Sequence, residues 1–525
     1  MVRASARRFG SREAIVDNGR RMTYADLDAA LIASARAAMA AGIRPCDRVA
    51  IWAPNSAEYV FAVLGVLSAG AWIVPMNTRM KGAEAGYVLE KTGATTLMTV
   101  TDFLGLDYLG MLKAVTPRPA ALDRMVILSG EAPAGTASWK HYLVGGRAVS
   151  EAEAERSIAR LRPQDVCDVM FTSGTTGRPK GVMLTHGSSL RAFEAFNMGF
   201  GIREGDRQLV LNPFFHCFGY KAGWMLSFMV GATVVPMAVF DAGRLLELVA
   251  AERISVLPGP PTLFTSILDS PRRDDYDLGS LRLGFVGSSS VPVELVQRIR
   301  RELPFKVVCT GYGLTEATAM VTVTAPDDPP EVVANWAGKV CPGVSVRIVD
   351  ADGTELADGQ EGELLVRGFN VMRGYFGDPG ATSAAVDAGG WLHTGDIAVR
   401  NSDGYLKITG RTKDIYITGG FNVAPAEVEN ALLGFPAISQ VSVIGVPDHR
   451  LGEVGAAFVI LRPGETVTPG EVIEWARERL ANFKVPRYVL VTSELPLNAS
   501  GKVLKHVLRE RFAALDHDTV TQAAG

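Results

Sequence analysis

The residues from Phe171 to Gly181, Phe-Thr-Ser-Gly-Thr-Thr-Gly-Arg-Pro-Lys-Gly, concentrate groups suited to phosphate oxygens. From Thr172 to Gly181 there are three glycines, four hydroxyls, one arginine and one lysine. Glycine lets backbone N–H groups approach a ligand closely, while hydroxyls and cations complement its charge. The stretch is not a Walker A loop, because Pro179 stands where that pattern needs glycine and Gly181 where it needs Ser or Thr. Four further clusters carry chemistry. Asn212-Pro213-Phe214-Phe215-His216-Cys217-Phe218-Gly219 sets one of the chain's seven histidines among aromatics. Thr310-Gly311-Tyr312-Gly313-Leu314-Thr315-Glu316 offers an aromatic face, hydroxyls and a carboxylate. Trp391-Leu392-His393-Thr394-Gly395-Asp396 ends in an acid beside a tight turn, and Pro496-Leu497-Asn498-Ala499-Ser500-Gly501-Lys502 projects a lysine near the C-terminus.

The elements that must hold these clusters can be read from apolar patterning. Val169–Phe171 reads as a strand entering the glycine loop. Ala69-Gly70-Ala71-Trp72-Ile73-Val74-Pro75-Met76 matches Val230-Gly231-Ala232-Thr233-Val234-Val235-Pro236-Met237, 161 residues later. Each is followed by a helical stretch (Gly82–Lys91, Ala242–Arg253) and another short strand (Thr96–Val100, Ser255–Leu257), which predicts two similar α/β subdomains with mainly parallel sheets. Leu281–Val286 and Lys306–Cys309 read as buried strands flanking a helix, Pro292–Arg301. From Val340 onward, short alternating segments with Asp-Gly turns predict a β-rich subdomain. Beyond Gly410 the helix–strand pattern resumes. The expected organisation is an α/β fold with a large N-terminal domain (1–410), a hinge (411–414) and a small α+β C-terminal domain (415–525).

Bulk properties narrow the partners. A chain of 525 residues exceeds one typical domain. A net charge of −3 gives no electrostatic case for nucleic acid. The five cysteines lack C-x-x-C spacing and suit a reducing cytoplasm. The N-terminus has no apolar signal-peptide core. Tyr59–Met76 and Trp224–Phe240 are uncharged, but glycine and proline interrupt them at the minimum length for a span, so a buried helix leading into a buried strand is expected. No integral membrane association follows, and the sequence leaves a homodimer open.

Taken in order, the motifs T-S-G-T-T-G-x-P-K-G, the aromatic-His stretch, Y-G-x-T-E, W-x-x-T-G-D, G-R-x-K-D, G-G-F-N-V-x-P-x-E-V-E and the late P-x-x-x-x-G-K resemble the adenylate-forming superfamily of acyl-CoA synthetases, luciferases and peptide-synthetase adenylation domains, from about Tyr24 to Arg509. The resemblance implies an AMP-forming carboxylic acid–CoA ligase using ATP, Mg²⁺ and coenzyme A. It implies that Thr172, Ser173, Gly174, Thr175, Thr176, Gly177 and Lys180 hold the β- and γ-phosphates. Tyr312, between Gly311 and Gly313, stacks on adenine, with the backbone of Gly287, Ser288 and Ser289 on the other face. Asp396 binds the ribose with help from Arg411, and Glu316 helps bind Mg²⁺. Lys502 and Thr315 donate to the α-phosphate, and Lys413 is the hinge that withdraws the lysine. Gly419 and Gly420 line the CoA tunnel. Phe215, His216, Phe218, Gly287 and Gly311 form the acyl wall, with His216 at the reacting end.

Two departures stand out: Gly287-Ser288-Ser289-Ser290 replaces the G-G-A-P of many relatives, and Tyr416 stands where many carry lysine. The aromatic segment holds no acid to pair with a substrate amine, which disfavours an amino acid. Its wording, with Gly219-Tyr220-Lys221-Ala222-Gly223 and Leu257-Pro258-Gly259-Pro260-Pro261-Thr262, is similar to actinobacterial ligases of the bicyclic keto-acid left by steroid-ring breakdown, or of fatty acids. A bulky hydrophobic or polycyclic acid ranks first, a fatty acid second and an arylcarboxylate third. A luciferase-like oxygenase is the alternative from another class. Lys221 is expected either to be structural or to meet a polar group on the acid.

Overall fold

A computed structural model describes residues 1–172, 179–287, 291, 293–411, 414–418, 421–480, 482–498 and 502–515. Sequence expectations at Ser173–Gly177, Ser288, Ser289, Lys413, Gly419 and Gly420 lie outside the described residues, as does the side chain of Arg411.

The uncharged runs form the centre of two sheets. In the first, Ala57–Ser68 is a helix buried on nearly all sides, started by the Ser56 hydroxyl, which accepts from the Tyr59 N–H at 3.2 Å. The chain turns at Gly70, whose φ of 79° suits glycine, and enters the strand Trp72–Pro75. That strand lies parallel to Arg48–Trp52, which pairs on its other side with Thr96–Val100, itself beside Arg124–Ser129. Helices cover such strands on both faces, so they read as continuous apolar runs. Val166–Thr172 joins parallel to Trp72–Pro75, and Lys180–Thr185 then turns back antiparallel.

The second sheet repeats this order. Thr233–Pro236 lies beside Arg207–Val210, which is followed outward by Val256–Gly259, Leu283–Val286 and Val307–Cys309, all parallel. The matched stretches around Gly70 and Gly231 therefore occupy equivalent places in two sheets of like topology. The N-terminal strand Glu13–Asp17 completes the second sheet through Ile15 opposite Val234. Among the described residues no helix is long and apolar enough to cross a membrane.

The expected β-rich part is a four-stranded antiparallel sheet of Val344–Val349, Gly362–Gly368, Leu392–Arg400 and Leu406–Arg411. From Tyr416 onward the chain builds a separate sheet around the long hairpin Ile438–Asp448 and Gly452–Leu461. Its two apolar clusters draw on residues from Tyr416 onward. A segment whose period the sequence did not indicate is Phe218–Met225, which is π-helical, with non-helical angles at Gly223.

Asn55 clasps the two sheets together. Its amide donates to the carbonyls of Asn212 at 3.1 Å and Val210 at 3.2 Å, and its Oδ1 accepts from the Phe214 N–H at 2.7 Å. Buried polar groups stripped of a partner cost about 1–3 kcal/mol. Asn55→Ala is expected to lower stability by that amount in denaturant titration and to raise the KM for the acid, since Phe214 anchors the aromatic segment. An unchanged midpoint would contradict the clasp.

Candidate active site

The loops at the carboxyl ends of both parallel sheets face one cleft of about 2590 Å³. Thr172 and Lys180 line one part of it, Gly311 to Glu316 and Asp396 another, and Phe215, His216 and Phe218 a third. Lys502 lines the same cleft from the C-terminal part of the chain. The structure thus brings together residues up to 330 positions apart that the motifs had singled out.

The Tyr312 hydroxyl donates to Asp396 Oδ2, and the Asp396 N–H donates to the Thr394 hydroxyl at 3.1 Å. Glu363 braces the same turn: one oxygen accepts from the Gly395 N–H at 3.1 Å and the other meets His393 Nδ1 at 3.1 Å. Asp396 also sits opposite Arg411 in the backbone register. A Cβ at Gly311 would lie 2.5 Å from the Thr322 carbonyl, so the strand Gly311–Tyr312 runs too close to its neighbour for any side chain there.

Glu316 lies in the short 3-10 turn Thr315–Ala317 and accepts from the Tyr375 hydroxyl at 2.9 Å. The Lys180 ammonium sits 5.0 Å from the centre of the same Tyr375 ring. Burial first, and then the Glu316 charge, raise the Tyr375 pKa above the usual tyrosine value. After the turn, Thr318 (φ 54°) and Ala319 (φ 59°) adopt left-handed backbone that non-glycine residues disfavour. Asn370 holds it there: its carbonyl accepts from the Thr318 hydroxyl at 2.6 Å, and its side-chain amide donates to the Met320 carbonyl at 2.7 Å. Tyr375, Asn370, Glu363 and Asn55 carried no local signal in the sequence, because their partners lie 30 to 159 positions away.

The third wall is aromatic. The Phe218 ring packs 5.2 Å from Phe285, which packs 5.6 Å from Phe196. His216 Nδ1 accepts from the Phe218 N–H at 3.3 Å, leaving Nε2 as the protonated nitrogen of a neutral ring. Burial lowers the His216 pKa to about 4. A Cβ at Gly219 would lie 2.2 Å from the Asn212 carbonyl, so the segment folds tightly on itself here. Lys221 does not reach the cleft. It is wholly buried and binds Asp168 at 2.7 Å and Ser189 at 2.5 Å, which settles it as a residue of the interior.

Glu316 and the phosphate loop would be the seat of a divalent cation. Among the described residues no three His, Cys, Asp or Glu side chains converge. The Glu316 carboxylate, which lines the cleft with Lys180 and Tyr375, is an oxygen donor of the kind that fits an ion otherwise held by nucleotide oxygens and water, the usual manner of magnesium.

The AMP-binding enzyme family model matches residues 2–376, and the AMP-binding enzyme C-terminal domain model matches residues 427–502. A (7a-methyl-1,5-dioxo-octahydroinden-4-yl)propanoyl:CoA ligase from Rhodococcus jostii (strain RHA1) is 46% identical over 512 residues, covering 97% of each chain. Among solved structures, the anthranilate CoA ligase AuaEII in complex with anthranoyl-AMP matches with a TM-score of 0.88 at 26% identity over 98% of both chains. MatB from Rhodopseudomonas palustris, 29% identical over 98% of this chain and 99% of its own, matches at 0.86 with ATP bound and 0.76 in its apo form. Family models over most of the chain, full-length relatives and the assembled cleft agree: the chain belongs to the AMP-binding enzyme family and is an AMP-forming acyl-CoA synthetase, joining a carboxylic acid to CoA through an acyl-adenylate.

Proposed function

We propose that this ligase activates a bulky apolar carboxylic acid in the cytoplasm, a bicyclic keto-acid of the methyl-dioxo-octahydroindenyl propanoate type ahead of a fatty acid. The observation that carries this reading is the full-length 46% identity to a ligase named for such an acid. The aromatic wall of Phe215, Phe218 and Phe285 is consistent with it, since an apolar ring system gains from burial there.

Adenylation is an in-line displacement at the α-phosphorus, so the protein's task is positioning and neutralising developing charge. On this reading Thr172 to Lys180 grips the departing pyrophosphate end, with Ser173, Gly174, Thr175, Thr176 and Gly177 as its body. Tyr312 carries the adenine and Asp396, with Arg411, the ribose. Thr315 and Lys502 donate to the α-phosphate. Bound at Glu316, Mg²⁺ would offset the phosphate charge. His216, neutral, packs at the reacting end of the acyl wall without attracting the substrate carboxylate into an ion pair. Lys413 is the proposed hinge between 1–410 and 415–525, and Gly419 and Gly420 the proposed CoA contacts. At equal identity, this chain matches the ATP-bound form of MatB more closely than the apo form.

Pyrophosphate release over a panel of acids, with and without CoA, tests the substrate. The keto-acid is expected to give the highest kcat/KM, and CoA-independent light or CO₂ release would instead indicate an oxygenase. Lys502→Ala is expected to abolish adenylate formation while largely sparing thioester formation from supplied adenylate. Equal loss in both half-reactions would remove Lys502 from the α-phosphate. Lys413→Pro, which fixes φ, is expected to slow the thioester step far more than adenylation; unchanged thioester kinetics would count against the hinge.

The pH dependence follows from His216. With its folded pKa near 4, below the ordinary histidine value, it stays neutral as pH falls through 6.5, whereas the unfolded chain takes up the proton. Its burial therefore costs stability progressively from about pH 6.5 down to 4 and nothing above that window. Adenylation rates should show no inflection near pH 6.5 that His216→Phe removes; such an inflection would mean that the ring titrates normally.

A further inference from the structure

The interior behind the cleft holds a charge pair that the reaction does not use. Lys221 and Asp168 are both 0% exposed, with Nζ 2.7 Å from Oδ2. The Ser189 hydroxyl lies 2.5 Å from the same ammonium, and the Cys167 thiol donates to the same carboxylate oxygen at 3.1 Å. Among the described residues the second oxygen of Asp168 and the nearby Tyr59 hydroxyl meet no hydrogen-bond partner. A pair this deep, with one oxygen unsatisfied, contributes little stability over apolar side chains of the same size. Stability alone therefore does not account for it.

Its connections are more informative. Asp168 lies on Val166–Thr172, four residues before Thr172, where the strand enters the phosphate loop. Ser189 lies on the helix His186–Phe200, which presents Phe193 and Phe196 to the cleft. Lys221 lies three residues beyond Phe218, inside the π-helical turn that follows the aromatic segment. π-helical geometry is rare and clusters at functional sites. One ammonium thus bonds directionally across the three elements that carry the phosphate loop and two sides of the acyl wall. Apolar contacts allow such elements to slide over one another, whereas short charged hydrogen bonds fix both distance and angle.

We propose that Lys221, through Asp168 and Ser189, is a positioning residue that sets the acyl wall against the phosphate strand, and hence the substrate carboxylate against the α-phosphate. The inference rests on the reading of His216 and Phe218 as the acyl wall. Phe218→Ala tests that reading separately, by whether it raises the KM for the acid.

The test is the apolar pair Asp168→Leu/Lys221→Met, assayed with whichever acid the wild-type enzyme turns over. Its thermal midpoint is expected to stay close to the wild type. Misplacement on the ångström scale costs up to about a hundredfold in such reactions, so the kcat for adenylation is expected to fall tenfold or more. Thioester formation from supplied acyl-adenylate, where the carboxylate and phosphate are already joined, is expected to remain within about twofold. Wild-type rates in both half-reactions, or equal loss in both, would overturn the proposal. If the double variant does not fold, Ser189→Ala, which removes one of the two bonds to Nζ, must show the same split between half-reactions, and its absence there overturns the proposal equally.

Discussion

Parallel pairing of Val166–Thr172 with Trp72–Pro75, in register at Asp168 and Ile73, fixes which end of the first sheet carries Thr172. Parallel strands all point their carboxyl ends the same way, so the loops after Pro75 and Thr172 must emerge side by side. The second sheet obeys the same rule, and the loops after Val210, Gly259, Val286 and Cys309 emerge together. Asn55 bonds the loop beyond one sheet to the strand end and loop of the other, and so turns two sets of carboxyl ends toward a common cleft. The site is a consequence of strand direction before it is a consequence of any catalytic side chain.

The proposed function sets a highly charged nucleotide beside an apolar acid, and the cleft is divided in the same way. On the nucleotide side, polar groups are held by other polar groups: Tyr312 by Asp396, Glu316 by Tyr375, the Gly395 turn by Glu363. On the acyl side, rings meet rings, and the one histidine is kept uncharged by burial. The left-handed residues Thr318 and Ala319 follow directly on the Glu316 turn, and backbone strain there is sustained by Asn370. Burying an ammonium between the same two sides, as Lys221 does, is consistent with a demand for fixed geometry more than for stability.

The sequence disclosed what is local and repetitive. Strands such as Trp72–Pro75 and Thr233–Pro236 were legible because burial on both faces leaves an unbroken apolar run, and their shared Gly…Pro framing exposed the twofold topology. Tyr312, Glu316, Asp396 and Lys502 stood out as motifs by residue type and spacing, and all four line one cleft. The supporting residues did not stand out. Tyr375 reaches Glu316 across 59 positions, and Asn55 reaches Phe214 across 159, and neither residue type announces its partner. The π-helical turn at Phe218–Met225 was illegible for another reason: over eight residues its period cannot be told from that of an α-helix. Lys221 fell in that turn, which is why its direction, inward to Asp168 and away from the acid, required the structure.

On the proposed role of Lys502, its placement answers a conflict between two half-reactions. A cation that neutralises the α-phosphate during adenylation would, if it stayed, occupy the approach of the incoming thiol. A flexible lysine on the main body could swing aside, but it would lose orientation in doing so. Here the backbone of the lysine is tied to Asn498 instead: its N–H donates to Asn498 Oδ1 at 2.9 Å, its carbonyl accepts from the Asn498 N–H at 2.8 Å, and Leu497 pairs with Val503 beside it. That tie lies in a part of the chain with its own apolar clusters. A donor fixed so firmly to an independently packed body is best withdrawn by moving that body as a unit. On that proposal, rigid delivery in the first step and complete removal in the second would be met by the same construction.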